Sequence, residues 1–214
     1  MKQLKSQNSL GNQNFDDSQK SERFLKGSET EKDLLKAFAG ESQARNRYTY
    51  FASEAKKQGY EQISAIFLET AENEKEHAKI FFQYLNEIGK PLEITATYPA
   101  GKIGTTEENL LAAADGEKME WSTLYPNFEK IARKKGFQEI ASSFKEIADV
   151  EEQHEKRYRK LLENVKNKSV FKKDKIVKWK CRNCGYVHEG KDAPDTCPAC
   201  KHPQAFYELL EENY

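Results

Sequence analysis

The feature that most constrains the fold of this chain of 214 residues is an internal repeat with an offset of 77 residues. Its clearest members are Glu74 and His77, three residues apart, and Glu151 and His154 with the same spacing. Other matched positions are aromatic, aliphatic or glycine in both copies: Tyr48 with Tyr125, Phe51 with Phe128, Ala55 with Ala132, Gly59 with Gly136, Ile63 with Ile140, Phe67 with Phe144 and Ala71 with Ala148. The repeat predicts two helical hairpins related by pseudo-symmetry and packed as a four-helix bundle.

Helix start and stop signals divide the chain in the same way. Ser28 with Glu31, and Thr105 with Glu108, have the spacing of a capping box. Gly59, Gly89 and Gly136 stand where helices are expected to end. The predicted helices cover about 28–58, 60–88, 105–135 and, after Gly136, up to about 166.

The repeat loses its register before Tyr48. Glu41 aligns with Lys118, whereas the nearest glutamates on the third helix are Glu117 and Glu120. Pro126 removes a backbone donor inside that helix, so we expect a kink there. Either this kink or a change in helix phase is expected to absorb the difference.

Glutamate and histidine side chains that point into a bundle core need a compensating partner, because burying charge is costly. The predicted inward-facing set is Glu41, Glu74, His77, Glu117, Glu120, Glu151 and His154. Carboxylate oxygens with imidazole nitrogens favour iron or manganese, and bridging carboxylates hold two ions about 3.5 to 4 Å apart. The set predicts a dinuclear iron site. Tyr48 and Tyr125 either donate hydrogen bonds to these carboxylates or serve only as packing aromatics.

All four cysteines lie near the C-terminus in two Cys-x-x-Cys pairs, Cys181 with Cys184 and Cys197 with Cys200. In a reducing compartment this pattern predicts metal ligation rather than disulfides. Two such loops complete a tetrahedral four-sulfur site, and spacing alone allows either zinc or iron. A domain this short needs the metal to hold it together.

The remaining composition divides the chain and excludes some classes of function. Residues 1–26 show no sustained hydrophobic period and are predicted to be a disordered extension; the bundle is predicted over 27–166, a linker over 167–176 and the cysteine domain over 177–214. With 35 basic and 35 acidic residues, the chain has no charged block that would bind nucleic acid. Neither a membrane-spanning run nor a secretory signal is evident, so a cytoplasmic protein is expected.

Residues 27–214 resemble the rubrerythrin family. The resemblance is carried by Ala37-Phe-Ala-Gly-Glu41-Ser-Gln-Ala-Arg-Asn-Arg-Tyr48, by both Glu-x-x-His pairs, by Glu117-x-x-Glu120, and by Cys181-x-x-Cys-Gly-Tyr with Cys197-Pro-x-Cys200. It implies a mainly α fold: a ferritin-like four-helix bundle with a small C-terminal rubredoxin-like metal-knuckle β domain. It also implies two irons held by the seven bundle residues, with Glu120 and His77 as alternative ligands of one of them, and a third iron at the cysteines.

The activity implied by the resemblance is reduction of hydrogen peroxide to water, as protection against oxidative stress in an organism that avoids oxygen. Electrons are expected to pass from an external donor, such as a rubredoxin or an NAD(P)H-linked reductase, through the four-cysteine iron. Tyr48 or Tyr125 is expected to supply a proton. The resemblance also implies a homodimer. Two alternatives remain open: a ferroxidase that stores iron in the same bundle, and a non-enzymatic protein whose tail is a zinc-ribbon interaction module.

Overall fold

The computed structural model describes residues 25–212, and most of that chain is helical. The helices are α1 Glu29–Lys57, α2 Glu61–Leu85, α3 Thr106–Met119, α4 Tyr125–Lys134 and α5 Gln138–Lys166. Three strands follow, β1 Lys172–Cys181, β2 Val187–Asp192 and β3 Tyr207–Leu209, in an antiparallel sheet with the order β2-β1-β3. The predicted mainly α fold with a small C-terminal β domain is confirmed. Of the predicted disordered extension, residues 1–24 lie outside the described part of the chain.

The helices begin and end close to the predicted signals. Thr105 and Glu108 form a complete capping box at the start of α3. At the start of α1, Ser28 accepts a hydrogen bond from the Glu31 backbone N–H at 3.1 Å, while the Glu31 carboxylate bonds to the backbone N–H of Gly27 rather than to that of Ser28. Gly59 follows α1 with a φ of 83°, a left-handed conformation that glycine adopts without a steric penalty.

The third predicted helix is not one kinked α-helix. It consists of α3, a π-helical segment Glu120–Leu124, and α4, which continue one another without a break. The Tyr125 backbone N–H bonds to the Glu120 carbonyl, five residues back, and Pro126 follows in the first turn of α4. A π-helical turn inserts one extra residue into an α-helix. It therefore accounts for the change in repeat offset, from 76 residues between Glu41 and Glu117 to 77 between Tyr48 and Tyr125.

The apolar core of the bundle consists of two clusters that follow the repeat. Tyr48 and Phe67 belong to one cluster, and their repeat partners Tyr125 and Phe144 belong to the other. Helix α1 packs along α2, and α5 packs along α3 and α4, so each predicted hairpin is present. The two clusters leave a buried polar layer that both hairpins line, and the metal-site candidates lie in this layer.

The small β domain packs against the end of the bundle where α1 turns into α2. The Phe171 ring stacks on Tyr60, with centroids 6.1 Å apart and an interplanar angle of 10°. Ala205 also approaches Gly59 so closely that a Cβ on this glycine would lie 3.7 Å from the alanine Cβ. Within residues 25–212, no helix has the length and apolar character needed to cross a membrane.

Candidate metal centres

Six of the seven predicted bundle ligands come together in two groups of four. One group contains Glu41, Glu74, His77 and Glu151, and the other contains Glu74, Glu117, Glu151 and His154. Within each group the potential ligand atoms all lie within 4.8 Å of one another. Glu74 and Glu151 belong to both groups, so the arrangement offers two adjacent cation positions that share two carboxylates.

The two shared carboxylates each contact both histidines. Glu74 places Oε2 at 3.0 Å from Nδ1 of His77 and Oε1 at 3.3 Å from Nδ1 of His154. Glu151 places Oε1 at 2.8 Å from Nδ1 of His77 and Oε2 at 2.6 Å from Nδ1 of His154. Every oxygen of the pair thus faces one imidazole nitrogen. This is the geometry of carboxylates that bridge two ions, each ion completed by one histidine.

The remaining carboxylates, Glu41 and Glu117, are each held by a tyrosine from the other hairpin. The Tyr48 hydroxyl donates to Oε1 of Glu117 at 2.5 Å, and the Tyr125 hydroxyl donates to Oε1 of Glu41. Of the two roles that the sequence left open for these tyrosines, the structure therefore shows the hydrogen bond. Both side chains also belong to the apolar clusters, so packing and hydrogen bonding coexist.

Several polar atoms in this layer are buried without a hydrogen bond of normal geometry. Among the described residues they include Oε2 of Glu41, Oε2 of Glu117, both carboxylate oxygens of Glu151 and Nδ1 of His154. Buried polar atoms are seldom left in this condition, because each unpaired one costs about 1 to 3 kcal/mol. A pair of cations bound between them would satisfy all of these atoms. The donor set of carboxylates and imidazoles fits iron.

Protonation of the two histidines balances part of the negative charge of the buried carboxylates. Burial lowers the pKa of His77 and His154, but the contacts with Glu151 and Glu74 outweigh it and raise the values to about 10 and about 9. Burial raises the pKa of Glu74, yet the two histidines lower it to about 2. Burial and repulsion by neighbouring carboxylates raise the pKa of Glu41 and of Glu117 well above the ordinary value.

Glu120 is the one predicted ligand that lies outside both groups. It begins the π-helical segment, and its Oε1 would lie 3.8 Å from a Cβ placed on Gly40, the residue before Glu41. Burial and the charge of Glu151 raise the pKa of Glu120 to about 8. Its carboxylate lines a cavity of about 430 Å³ that Tyr125 also lines. Glu120 is therefore placed between the carboxylate layer and an open space.

The sequence analysis did not predict several of the residues that line this cavity. The connection between α2 and α3 covers it with residues 95–99, and Tyr98 fixes the connection by donating a hydrogen bond to the Lys36 carbonyl at 2.8 Å. The length of the connection indicated that it crosses the bundle, but no spacing pattern linked it to the glutamates. Arg47 is a second missed residue: it lines the cavity, and its charge lowers the pKa of Glu120.

The four cysteines converge at the edge of the small sheet. Their sulfur atoms lie within 4.8 Å of one another, with 3.7 Å both between Cys181 and Cys200 and between Cys184 and Cys197, and none is in a disulfide. Cys181 and Cys197 are buried, whereas Cys184 is exposed. The two loops have the same turn, because the N–H of the residue four positions after the first cysteine of each pair donates to that cysteine's carbonyl.

The four thiols of this cluster differ in acidity: although the Tyr186 backbone lowers the pKa of Cys184, the other three cysteines raise it to about 12. The backbone N–H of His202 helps to lower the pKa of Cys200 to about 6, which favours the thiolate that binds metal. Each pair contributes one buried and one more accessible sulfur, as expected for a tetrahedral four-sulfur site at a domain surface.

Comparisons with known proteins place both regions in one family. A family model described as rubrerythrin matches residues 32–162, and a model described as the rubrerythrin, rubredoxin-like domain matches residues 179–208. A rubrerythrin from Porphyromonas gingivalis is 60% identical over 192 residues, covering 90% of this chain and 95% of the relative. A rubrerythrin from Nitratidesulfovibrio vulgaris is 56% identical over 192 residues, covering 90% of this chain and 100% of the relative.

Solved structures agree with this comparison. The structure described as the fully reduced, all-ferrous state of nigerythrin superimposes with a TM-score of 0.58 at 29% identity, covering 87% of this chain and 91% of that one. A mixed-valence state of nigerythrin gives a TM-score of 0.57 at 30% identity, covering 86% and 87%.

Proposed function

Because the chain belongs to the rubrerythrin family, we propose that it is a peroxidase that reduces hydrogen peroxide to water. Rubrerythrins are iron-containing oxidoreductases, and this chain has a carboxylate and histidine di-iron site together with a four-cysteine site. The observation that carries the proposal is the sharing of Glu74 and Glu151 between two groups of ligands. When bound, two adjacent irons would supply the two electrons that peroxide reduction requires, and an iron at the four cysteines would be suited to one-electron transfer.

The ligand assignment within this proposal follows the two groups. Glu74 and Glu151 would hold both ions, and the other two members of each group would hold one ion each: Glu41 and His77 in one group, Glu117 and His154 in the other. As the resemblance to the family implies, Glu120 and His77 are proposed as alternative ligands of the same ion. The four cysteines, Cys181, Cys184, Cys197 and Cys200, hold the third ion.

The two tyrosines have different parts in the proposed reaction. Burial raises the pKa of Tyr48 and of Tyr125 well above the ordinary value, so both keep their protons at neutral pH. Tyr125 lines the cavity beside Glu120, which makes it the better proton donor to the departing oxygen of the peroxide. Tyr48 does not line that cavity and instead fixes the orientation of Glu117.

The partners follow from the two kinds of site. A two-electron reaction fed through a one-electron site needs an external one-electron donor, and a rubredoxin or an NAD(P)H-linked reductase has the required chemistry. Cys184 is exposed, so an electron can reach the cysteine-bound iron from the surface of the small domain. As in the family that the sequence resembles, the chain is proposed to act as a homodimer.

The proposal is tested with iron-loaded protein handled without oxygen. Metal analysis is expected to find three irons per chain, and reduced rubredoxin is expected to support peroxide consumption. Cys197→Ser should abolish this donor-linked consumption while the bundle keeps its two irons. Ala199→Ser is the matched control, because Ala199 lies in the same loop with an exposed side chain and should leave consumption unchanged.

Three outcomes would contradict the proposal. If protein made with abundant iron contains zinc at the cysteine site, this site cannot transfer electrons to the bundle. Unchanged donor-linked consumption in Cys197→Ser would show that electrons reach the bundle by another route. Iron oxidation and storage with dioxygen, without donor-linked peroxide consumption, would support the ferroxidase alternative instead.

A further inference from the structure

The cavity beside Glu120 is much larger than hydrogen peroxide requires. Its volume is about 430 Å³, far above the roughly 10 to 15 Å³ that a single water molecule needs on the same measure. Hydrogen peroxide has two non-hydrogen atoms, whereas pockets of about 300 to 1,000 Å³ are typical of sites for larger organic molecules. The space next to the carboxylate site therefore has the size of a binding pocket for a larger substrate.

The cavity is elongated along α1. Its lining residues on that helix run from Lys36 to Arg47, eleven residues apart, which corresponds to about 16 Å at 1.5 Å per residue. At one end, a Cβ on Gly116 would lie 3.8 Å from an Arg47 guanidinium nitrogen. At the other end, the Lys36 ammonium lies 5.8 Å from the centre of the Phe128 ring. The lining residues of the facing helices thus run antiparallel to α1.

Glu120 lies between two parts of the cavity, and the part toward Lys36 has more apolar side chains. Its carboxylate lies next to Gly40, between the two ends. Toward Arg47 the lining includes Gln43, whose side-chain oxygen accepts a hydrogen bond from Arg47 Nε at 2.7 Å. Toward Lys36 the wall is built mainly of apolar groups: Ala37, Pro99, Leu124, Phe128 and the ring of Tyr98.

We propose that this cavity admits organic hydroperoxides, ROOH, and that the protein reduces them as well as hydrogen peroxide. The hydroperoxide group lies at Glu120 and Tyr125, and the alkyl group R lies against Leu124 and Phe128. This inference rests on the peroxidase function proposed above and adds a substrate class to it. Apolar chains enter because their transfer from water to an apolar wall is favourable, and the Lys36 end of the cavity offers more such wall than the Arg47 end, where Met119 lines the cavity near Gly116.

The proposed step balances with the same donor. The O–O bond of ROOH breaks, and the substrate takes up two electrons and two protons to give the alcohol ROH and water. The electrons come one at a time from the reduced one-electron donor protein. Tyr125 gives one proton to the departing oxygen, and solvent that enters through the cavity supplies the second proton and restores the proton on Tyr125.

The first test is a chain-length series on the iron-loaded protein. Linear alkyl hydroperoxides from ethyl to octyl are reduced with the same donor, with hydrogen peroxide measured in parallel. KM is expected to fall about two- to fourfold for each methylene that the wall buries, and then to level off when the apolar part is full. A KM that does not depend on chain length, in protein that consumes hydrogen peroxide, would overturn the inference and leave the proposed function intact.

A variant that fills the cavity makes the test specific. In Leu124→Trp, the alkyl chain length beyond which KM stops falling should be shorter than in the wild type. A general folding defect would not shorten it. Leu111→Trp is the matched control, because Leu111 is 40% exposed on α3 and does not line the cavity. If KM stops falling at the same alkyl chain length in Leu124→Trp as in the wild type, the alkyl group does not bind in this cavity and the inference is wrong.

A binding measurement gives a readout that is independent of turnover. The alcohol products, linear 1-alkanols, are titrated into the iron-loaded protein in a calorimeter. Kd is expected to fall about two- to fourfold per methylene in the wild type and in Leu111→Trp, and to do so over fewer methylenes in Leu124→Trp. Chain-dependent binding in a protein that reduces no peroxide would overturn the proposed function instead, because the cavity would then bind alkyl groups without the reaction.

Discussion

The Tyr48 hydroxyl donates a hydrogen bond to Oε1 of Glu117 at 2.5 Å, and this bond joins the first helical hairpin to the second inside the carboxylate layer. Tyr125 makes the reciprocal bond to Glu41. Both tyrosines are 1% exposed, so both hydrogen bonds lie inside the bundle. Each hairpin therefore orients a buried carboxylate of the other, and the two halves of the candidate site are positioned together.

Tyr125→Phe is expected to weaken both stability and activity. The substitution leaves Glu41 without its donor, so the metal-free protein should lose about 1 to 3 kcal/mol in urea unfolding. If Tyr125 also gives a proton, peroxide consumption by the iron-loaded protein should fall about a hundredfold or more. Tyr50→Phe is the control, since Tyr50 lies on α1 and is 52% exposed. Wild-type stability and turnover in Tyr125→Phe would contradict both roles.

Substitutions at Glu74 and Glu120 should have different effects on iron content. Glu74 belongs to both ligand groups, so Glu74→Gln should lower the iron bound by the bundle from two ions toward none. Glu120 belongs to neither group, so Glu120→Gln should keep at least one ion. Glu76→Gln, at an exposed position on α2, should keep both. Iron analysis after dialysis measures these differences, and equal losses in Glu74→Gln and Glu120→Gln would contradict the bridging assignment.

The local spacing of residues was enough to predict the bundle and to single out six acidic and histidine side chains that the structure brings together. The three-residue spacing of Glu74 and His77 places both on one face of α2, and the 77-residue repeat places the same pair on α5. Helix periodicity alone decides such relationships.

The π-helical segment and the cavity depend on packing between distant residues. The sequence reveals that an extra residue must be absorbed between Glu117 and Tyr125. Whether a kink at Pro126 or a π turn absorbs it depends on which arrangement lets Tyr125 reach Glu41 on the opposite hairpin. The cavity likewise depends on the position of the connection that contains Tyr98, which donates a hydrogen bond to the Lys36 carbonyl on α1; no local sequence pattern encodes this long-range contact.

Removal of the cysteine-bound metal should unfold the small domain selectively. Its buried core contains Trp179, Ala193 and Tyr207 besides two of the cysteines, which is too little apolar surface to be stable alone. Trp179 is fully buried and is one of two tryptophans in the chain, so in a Trp121→Phe background its fluorescence reports on this domain. A strong chelator should shift that emission to longer wavelength.

The helices should be much less affected by this treatment. The bundle has its own apolar clusters, so helical circular dichroism should decrease far less than the Trp179 signal changes. An unchanged Trp179 emission after the metal has been removed would show that the sheet and its core suffice without it.

The metal-free bundle should lose stability as the pH rises from 6 to 8.5. The folded-state pKa is raised to about 10 for His77, about 9 for His154 and about 8 for Glu120. A group whose pKa is higher in the folded state than in the unfolded state contributes its full stabilisation below the unfolded-state pKa. This contribution is lost as the pH rises from the unfolded-state pKa through the folded-state pKa. Glu74, with its pKa lowered to about 2, contributes stability that is lost only in acid and does not act in this range.

Bound metal should reverse part of this trend, because it replaces the protons on the same side chains. The free energy of unfolding of the metal-free protein is measured in urea by helical circular dichroism. It is expected to fall by at least about 1.4 kcal/mol per pH unit, the slope produced when the folded state binds one proton more than the unfolded state. Glu120→Gln removes one titrating group and should reduce that slope. The gain in Tm on adding Mn²⁺ should be larger at pH 8 than at pH 6. Stability that is constant or rises over this range in the metal-free protein would contradict the protonated carboxylate and histidine layer.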